Sequence, residues 1–413
     1  MPELLAPAGN PEKLATALTY GADAIYLGGP GPNLRAPGAG FADWAAVAEA
    51  VATAHAAGSQ AYLCLNALPT QTHLPAVEQA LEHLADLAGT QRPDALIVAD
   101  PGVLHLARRH LPQMPLHLST QANTANAAAA SFWAEQGATR VNLARELTLA
   151  DTRAMAAACP GVELEAFVHG AMCMAVSGRC TMSAHLNRRS ANLGLCTHPC
   201  RFQYRATATR PLAVRLEEAQ RPGRDTWEVL EQDGFTSVLA AEDLCLARYL
   251  PWFARVGLTA LKIEGRMKSG GYLAHTVDVY ATALADFARG AWRPELYMAE
   301  LLNTASRTLA TGFFLPGGRQ VAWAAPAQQR PVLGRINRQL GPEAWEVAVR
   351  ARWNADAPIA IMVPGLQRPT IANNDYTLED AQGARRTDAH SGTTLTLRCP
   401  HPALRQGLFL RAV

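Results

Sequence analysis

Cys173, Cys180, Cys196 and Cys200 form a C-x6-C-x15-C-x3-C array within 28 residues. Thiolates gathered this closely repel one another unless a cation neutralises them, so the spacing points to a metal ion or a metal cluster. Structural zinc usually occupies C-x2-4-C knuckles, and only the second pair fits that rule. The six-residue gap leaves room for a loop around a larger cubane, so the spacing favours a [4Fe-4S] cluster over zinc. The other four cysteines are scattered. Cys64 lies in an apolar strand-like run and Cys159 precedes Pro160, and both read as core residues. Cys245, within Glu242 to Leu246, is read on an amphipathic helix and is the reserve ligand if one of the four fails.

The array sits in an unusually basic stretch. From Arg179 to Arg224 there are nine arginines, no lysine and two acidic residues, Glu217 and Glu218, a local charge of +7 in a chain whose net charge is +2. Such a segment attracts a phosphate backbone, and Phe202 and Tyr204 could stack on bases. Arg188, Arg189, Arg201 and Arg205 are the candidate RNA contacts. The plainer alternative is a solvated insertion with no partner.

The elements that must position these groups follow a repeating pattern: a short apolar run, a turn, then an Ala-rich amphipathic helix. Strands are predicted at Glu3 to Pro7, Ala24 to Leu27, Ala61 to Leu65, Ala95 to Ala99, Leu116 to Ser119, Arg140 to Leu143 and Leu164 to Val168, with an eighth at Ala260 to Ile263. Seven βα units and one after an interruption suggest an α/β fold, a TIM-like (β/α)8 barrel, with a doubly wound open sheet as the competitor. In a barrel the functional groups gather at the C-terminal ends of the strands. Polar segments do follow predicted strands, at Ser119 to Asn123, Asn142 to Glu146, Phe167 to Gly170 and Lys262 to Lys268. The barrel is expected over residues 1–315, interrupted by the Cys/Arg-rich insertion 171–238. A linker near Pro316 to Arg330 then leads to a small C-terminal β-barrel at 331–413.

Composition sets the outer limits. The 413 residues are 49% hydrophobic and 17% charged. Average soluble domains carry about 25% charge, so disorder is excluded for most of the chain. The N-terminus lacks a basic region followed by an apolar one, and no apolar run approaches the roughly 20 residues that span a bilayer. A soluble cytoplasmic protein is expected, with no membrane contact and with its cysteines reduced. Neither G-x-S-x-G nor HExxH occurs. The glycine-rich stretch Gly28 to Pro32 has prolines where a phosphate cradle needs N–H groups.

Glu165-Ala166-Phe167-Val168-His169-Gly170-Ala171-Met172-Cys173, continuing to Ser177-Gly178-Arg179-Cys180, resembles the signature of the collagenase-like peptidase family U32. Leu4 to Gly9, Ser119-Thr120-Gln121, Lys262 to Ser269, and Ser306-Arg307 through Thr311-Gly312-Phe313 extend the resemblance over nearly the whole chain. The four-cysteine array and small C-terminal domain are most like the family's tRNA-hydroxylating members. The resemblance implies a [4Fe-4S] cluster on Cys173, Cys180, Cys196 and Cys200, and O2-independent formation of 5-hydroxyuridine at the tRNA wobble position, with prephenate as source of the hydroxyl group. Other members hydroxylate a cytidine of ribosomal RNA or a quinone ring. A peptidase and a non-catalytic RNA-binding protein with structural zinc are the rivals from other classes.

On this reading a small-molecule dicarboxylate needs cations, for which Arg145, Arg266 and Lys268 are the candidates. His169 and Glu264, at predicted strand ends, are the candidate proton-transfer groups, against a buried histidine and a glutamate paired with Arg266. Gln121 and Asn123 could read a base edge or a substrate hydroxyl, or cap a turn. The anticodon loop would lie along the arginine-rich insertion.

Overall fold

The computed structural model describes residues 1–31, 33, 40–87, 89–173, 175–176, 180–187, 189–201, 215–217, 226–228, 230–232, 235–237, 242–316, 321–324 and 330–413, with backbone alone at 185, at 201 and in the short strands between 215 and 237. Eight parallel strands occur in chain order: β1 Glu3–Ala8, β2 Ala24–Gly28, β3 Gln60–Leu65, β4 Ala95–Val98, β5 Leu116–Leu118, β6 Ala138–Asn142, β7 Glu163–Ala171 and β8 Ala260–Ile263. Each pairs with the next, and β8 pairs in parallel with both β7 and β1 (Leu4 opposite Leu261). That last pair closes the sheet and decides for the barrel over the open sheet.

Parallel strands covered on both faces are apolar runs, which is why these segments are legible in the sequence. The helices between them start where a short polar side chain accepts from a backbone N–H of the first turn. Asn10 caps Pro11–Thr19, Asp43 caps Trp44–Ala56, Asp100 caps Pro101–His110 and Ser269 caps Gly270–Ala288. The main core fills the space between strands and helices and runs on into the C-terminal sheet. A smaller cluster, including Leu5, Tyr26, Tyr62, Cys64 and Ile97, fills part of the barrel interior.

The insertion after β7 carries helix Met182–Asn187 and two short hairpins, Arg215–Glu217 with Thr226–Glu228 and Leu230–Gln232 with Phe235–Ser237. The chain then returns as strand Asp243–Cys245, antiparallel to the end of β7. Cys245 is therefore on a strand, not on the amphipathic helix expected. Three residues are too few for periodicity to separate the two.

From Val332 the chain forms an eight-stranded antiparallel sheet around Ile336, Val347, Ile361 and Phe409. It docks on helices Gly270–Ala288 and Pro294–Asn303 through a buried ionic cluster. Arg411 makes two bonds of 2.9 Å to Glu300, while Arg368 reaches Asp278 at 2.7 Å and Glu300 at 3.1 Å. Among the described residues no helix is long and apolar enough to cross a membrane.

Candidate functional site

At the C-terminal ends of the barrel strands lies a cleft with about 700 Å3 of empty space, open to solvent. Tyr26 from β2, Cys64 from β3 with Asn66 just beyond it, and Ser119, Thr120 and Gln121 beyond β5 form one side. Asn142 from β6 with Arg145 beyond it, Phe167 from β7, and Lys262 from β8 with Glu264 and Arg266 beyond it form the other. Ala191, Gly194 and Cys196 come from the insertion and roof the opening. The roof is tied to the loop after β3 by Leu68 N–H donating to Asn192 O at 2.9 Å.

Two close approaches let the strand ends converge. A Cβ on Gly9 would stand 2.3 Å from the carbonyl oxygen of Arg266, so only glycine lets the loops after β1 and β8 touch. Gly170 has φ +109° and passes Glu264 so closely that a Cβ would stand 2.5 Å from its carbonyl oxygen.

The floor is ionic. Lys262 Nζ donates to Glu165 Oε1 at 2.8 Å, and Asn142 Nδ2 donates to the same oxygen at 2.6 Å. Lys262 also stands 4.6 Å from the centre of the Tyr26 ring and 5.5 Å from that of Phe167. Beneath, Arg140 bridges Glu3 at 2.8 Å and Glu163 at 2.7 Å, and Tyr62 donates to Glu3. Higher in the cleft, Tyr26 Oη lies 3.3 Å from Glu264 Oε2, and Arg266 donates to Asn33 Oδ1 at 3.3 Å. Arg145 lies over the Phe167 ring and donates to the Ala171 carbonyl at 3.3 Å. Burial pushes the Cys64 thiol up, although Arg266 and Lys262 pull it the other way.

Of the residues singled out from sequence, Glu264, Arg266, Arg145, Gln121 and Cys196 meet in this cleft. His169 does not. Strict alternation along β7 would aim it inward with Glu165 and Phe167. A bulge opposite Lys262 and Ile263 shifts the register, so His169 pairs with the outward-facing Ile263. Its ring is buried against Tyr272 and Tyr280, with Nδ1 3.3 Å from Tyr280 Oη. Burial pushes its pKa down to about 4, against the upward pull of Asp243.

Lys268 also leaves the cleft. A turn closed by Lys268 N–H to Gly265 O brings its ammonium to Asp243 at 3.2 Å, beside a separate groove against the C-terminal sheet. Asn123 ends the turn Thr120–Ala122 in the left-handed region (φ 54°) and is absent from the cleft lining. Arg189 is exposed beside helix Met182–Asn187. Arg188 and Arg205 lie outside the described residues, and so does the side chain of Arg201. Sequence reasoning places Asn142 and Lys262 at the heads of polar strand-end segments without giving either a role, and it misses Glu165 and Tyr26. Their signal is a charged or polar side chain inside an otherwise apolar strand.

All four cysteines of the array are free thiols, with Cys173 exposed and Cys180, Cys196 and Cys200 partly buried. Cys196 Sγ accepts from the His198 backbone N–H at 3.4 Å, a bond that suits a sulfur carrying negative charge. Four soft donors on one segment, of which Cys196 lines the cleft, fit a thiophilic cluster in chemistry. Among the described residues no three His, Cys, Asp or Glu side chains stand close enough to hold a single metal ion. Cys245 is fully buried against Met298, and burial raises its thiol to about 11.

Residues 9–321 match the profile of Peptidase family U32. The "tRNA hydroxylation protein P" of Escherichia coli (strain K12) is 32% identical over 419 residues, covering 93% of this chain and 90% of that protein. The chain belongs to peptidase family U32. A second family relative, the "tRNA hydroxylation protein P" of Helicobacter pylori (strain ATCC 700392 / 26695), is 37% identical over 317 residues, 76% of this chain and 71% of that one. The "23S rRNA 5-hydroxycytidine C2501 synthase" of Escherichia coli (strain K12) is 33% identical over 282 residues, covering 68% of this chain and 39% of that protein.

Proposed function

We propose that this protein is an RNA-modifying hydroxylase that converts wobble uridine of tRNA to 5-hydroxyuridine without O2. Prephenate is the proposed source of the hydroxyl group, and a [4Fe-4S] cluster on Cys173, Cys180, Cys196 and Cys200 the proposed cofactor. The names of the family relatives support RNA hydroxylation. The observation that carries the reading is the meeting of Cys196 with Arg145, Arg266 and Glu264 in one cleft.

A dicarboxylate fits two guanidinium groups set on different strands, because each can hold one carboxylate by two parallel bonds. Arg266 is positioned by Asn33 and Arg145 by the Phe167 face and the Ala171 carbonyl. Replacing the ring hydrogen by the hydroxyl of the co-substrate balances when that hydrogen leaves as a proton and the co-substrate carbon that gives up the hydroxyl keeps the bonding electron pair, so that the co-substrate is reduced as the base is oxidised. Glu264 is the carboxylate placed to take the proton, with Tyr26 Oη beside it. The cluster, when bound, supplies Lewis-acid or one-electron chemistry at the roof. The anticodon loop would approach over that roof, along the arginine-rich insertion.

The test is mass spectrometry of nucleosides from total tRNA of a strain lacking this gene, grown with and without oxygen, beside its parent. Loss of 5-hydroxyuridine and its derivatives is expected. Unchanged modification under both conditions, in a strain with no second enzyme for it, overturns the proposal. Cleavage of gelatin by iron-free protein would instead favour the peptidase.

A further inference from the structure

We infer that Lys262 and Asn142 read the hydrogen-bonding edge of the reacting base and select uracil over cytosine. The inference rests on the proposed uridine hydroxylation and adds the atoms that choose the base.

Asn142 and Lys262 project into the cleft from β6 and β8, the two strands that flank β7, and they are only 3% and 5% exposed. Both are pinned by Glu165 Oε1, at 2.6 and 2.8 Å. That oxygen already accepts from the Lys262 ammonium, so the Asn142 amide must turn its NH2 toward it. The orientation of the amide is thereby fixed, and Oδ1 is the end left over. This oxygen is buried and, among the described residues, has no hydrogen-bond partner. Lys262 has three N–H groups, and among the described residues its one hydrogen bond goes to Glu165. The cleft floor thus offers, side by side, a spare donor and a stranded acceptor.

Buried polar groups are normally satisfied, so this pair calls for a ligand that brings an acceptor and a donor at neighbouring positions. A uracil does: O4 accepts from Lys262 while N3–H donates to Asn142 Oδ1. Cytosine presents the reverse, an amino group toward the ammonium and a lone pair toward the amide oxygen. A carboxylate could accept from Lys262 but has no hydrogen for Oδ1. Tyr26 and Phe167 supply aromatic walls on either side of Lys262. The reacting C5 is bonded to C4, so holding O4 at Lys262 keeps C5 on the β8 side of the base. Glu264 lies two residues further along that strand face.

The experiment measures affinity of cluster-loaded, anaerobically purified protein for an anticodon stem-loop RNA carrying uridine, cytidine or 3-methyluridine at the wobble position. Rates of uridine hydroxylation with prephenate are measured in parallel. The parent protein should bind the uridine RNA about 10- to 100-fold more tightly than the other two, as expected of a site built around specific hydrogen bonds. Asn142→Ala should remove the penalty against 3-methyluridine, and Lys262→Met should erode the preference for uridine over cytidine. Asn142→Ser and the double variant Glu165→Gln/Lys262→Met replace these if either fails to fold, since the double variant leaves no unpaired carboxylate in the floor.

Equal affinity of the parent protein for the three RNAs, or an unaltered base preference in the variants, overturns the inference. A raised KM for prephenate in Lys262→Met with base preference intact would assign Lys262 to the co-substrate and overturn it as well. In each of these cases uridine hydroxylation by the parent protein leaves the proposed function standing. A parent protein that selects the uridine RNA through these two residues yet forms no 5-hydroxyuridine would uphold the base selection and overturn the proposed function.

Discussion

Single atoms separate the working groups of this cleft from their neighbours. Glu264 faces the cleft with Tyr26 at its carboxylate, whereas His169 is turned out of it. Glu264→Gln should therefore lower hydroxylation by about 100-fold or more, the usual range for loss of a general base, with RNA affinity and iron content retained. Single-turnover rates beside iron analysis would check this. The cysteines divide in the same way. On the proposed cluster assignment, Cys196→Ala should lower iron per chain, because this thiol would be one of the four ligands. Cys245→Ala should leave iron unchanged, because its thiol is enclosed in the core and held protonated. A drop in iron for Cys245→Ala would return it to the ligand set.

Among the elements, β7 carries most of the design. Its first half contributes Glu165 and Phe167 to the barrel interior, and the bulge then exchanges faces so that His169 packs against Tyr272 and Tyr280. A histidine whose folded pKa is pressed from 6.5 to about 4 binds its proton more readily in the unfolded chain. Stability contributed by the neutral ring is thus complete above about pH 6.5 and is lost as pH falls toward 4, by up to about 3 kcal/mol. Denaturant titrations at pH 7 and pH 5 should show this loss, and His169→Gln should reduce the difference between them.

The strands themselves were legible because buried parallel strands are apolar runs between turn signals. The facing of His169 was not, since one extra residue in a ladder leaves no mark on composition and inverts every assignment beyond it. Lys262 and Asn142 stood in plain view inside predicted strands. Each heads a polar strand-end segment, yet neither is given a role, although a charge in an apolar strand is itself a mark of a polar interior. The cysteine array is visible in the sequence because its four members lie close along the chain. Arg368 and Arg411 find Asp278 and Glu300 across long separations, and no local pattern announces such pairs.

For the whole molecule, those distant pairs set the C-terminal sheet against the barrel. Glu300 accepts from Arg411 and Arg368 in a buried site, and its carboxyl is held below the usual range by the Arg411 bonds against the cost of burial. Glu300→Gln would leave the buried Arg411 without a carboxylate, while Arg368 keeps Asp278, and should cost about 3–5 kcal/mol, read by denaturant unfolding followed through separate probes in barrel and sheet. His275, beside Arg411 and pressed to about 3 mainly by burial, should add to acid sensitivity at the same junction.

The ladder of charges from Glu3 through Arg140 to Glu165 has a kinetic meaning as well. Among the described residues it fills the lower end of the barrel, so that the upper mouth is the way into the cleft. For the proposed reaction this imposes a queue. The smaller reactant must enter before the macromolecule closes the door, and its spent remnant must wait until the macromolecule has gone. Compulsory-order turnover follows, with inhibition at high RNA concentration as RNA seals empty enzyme.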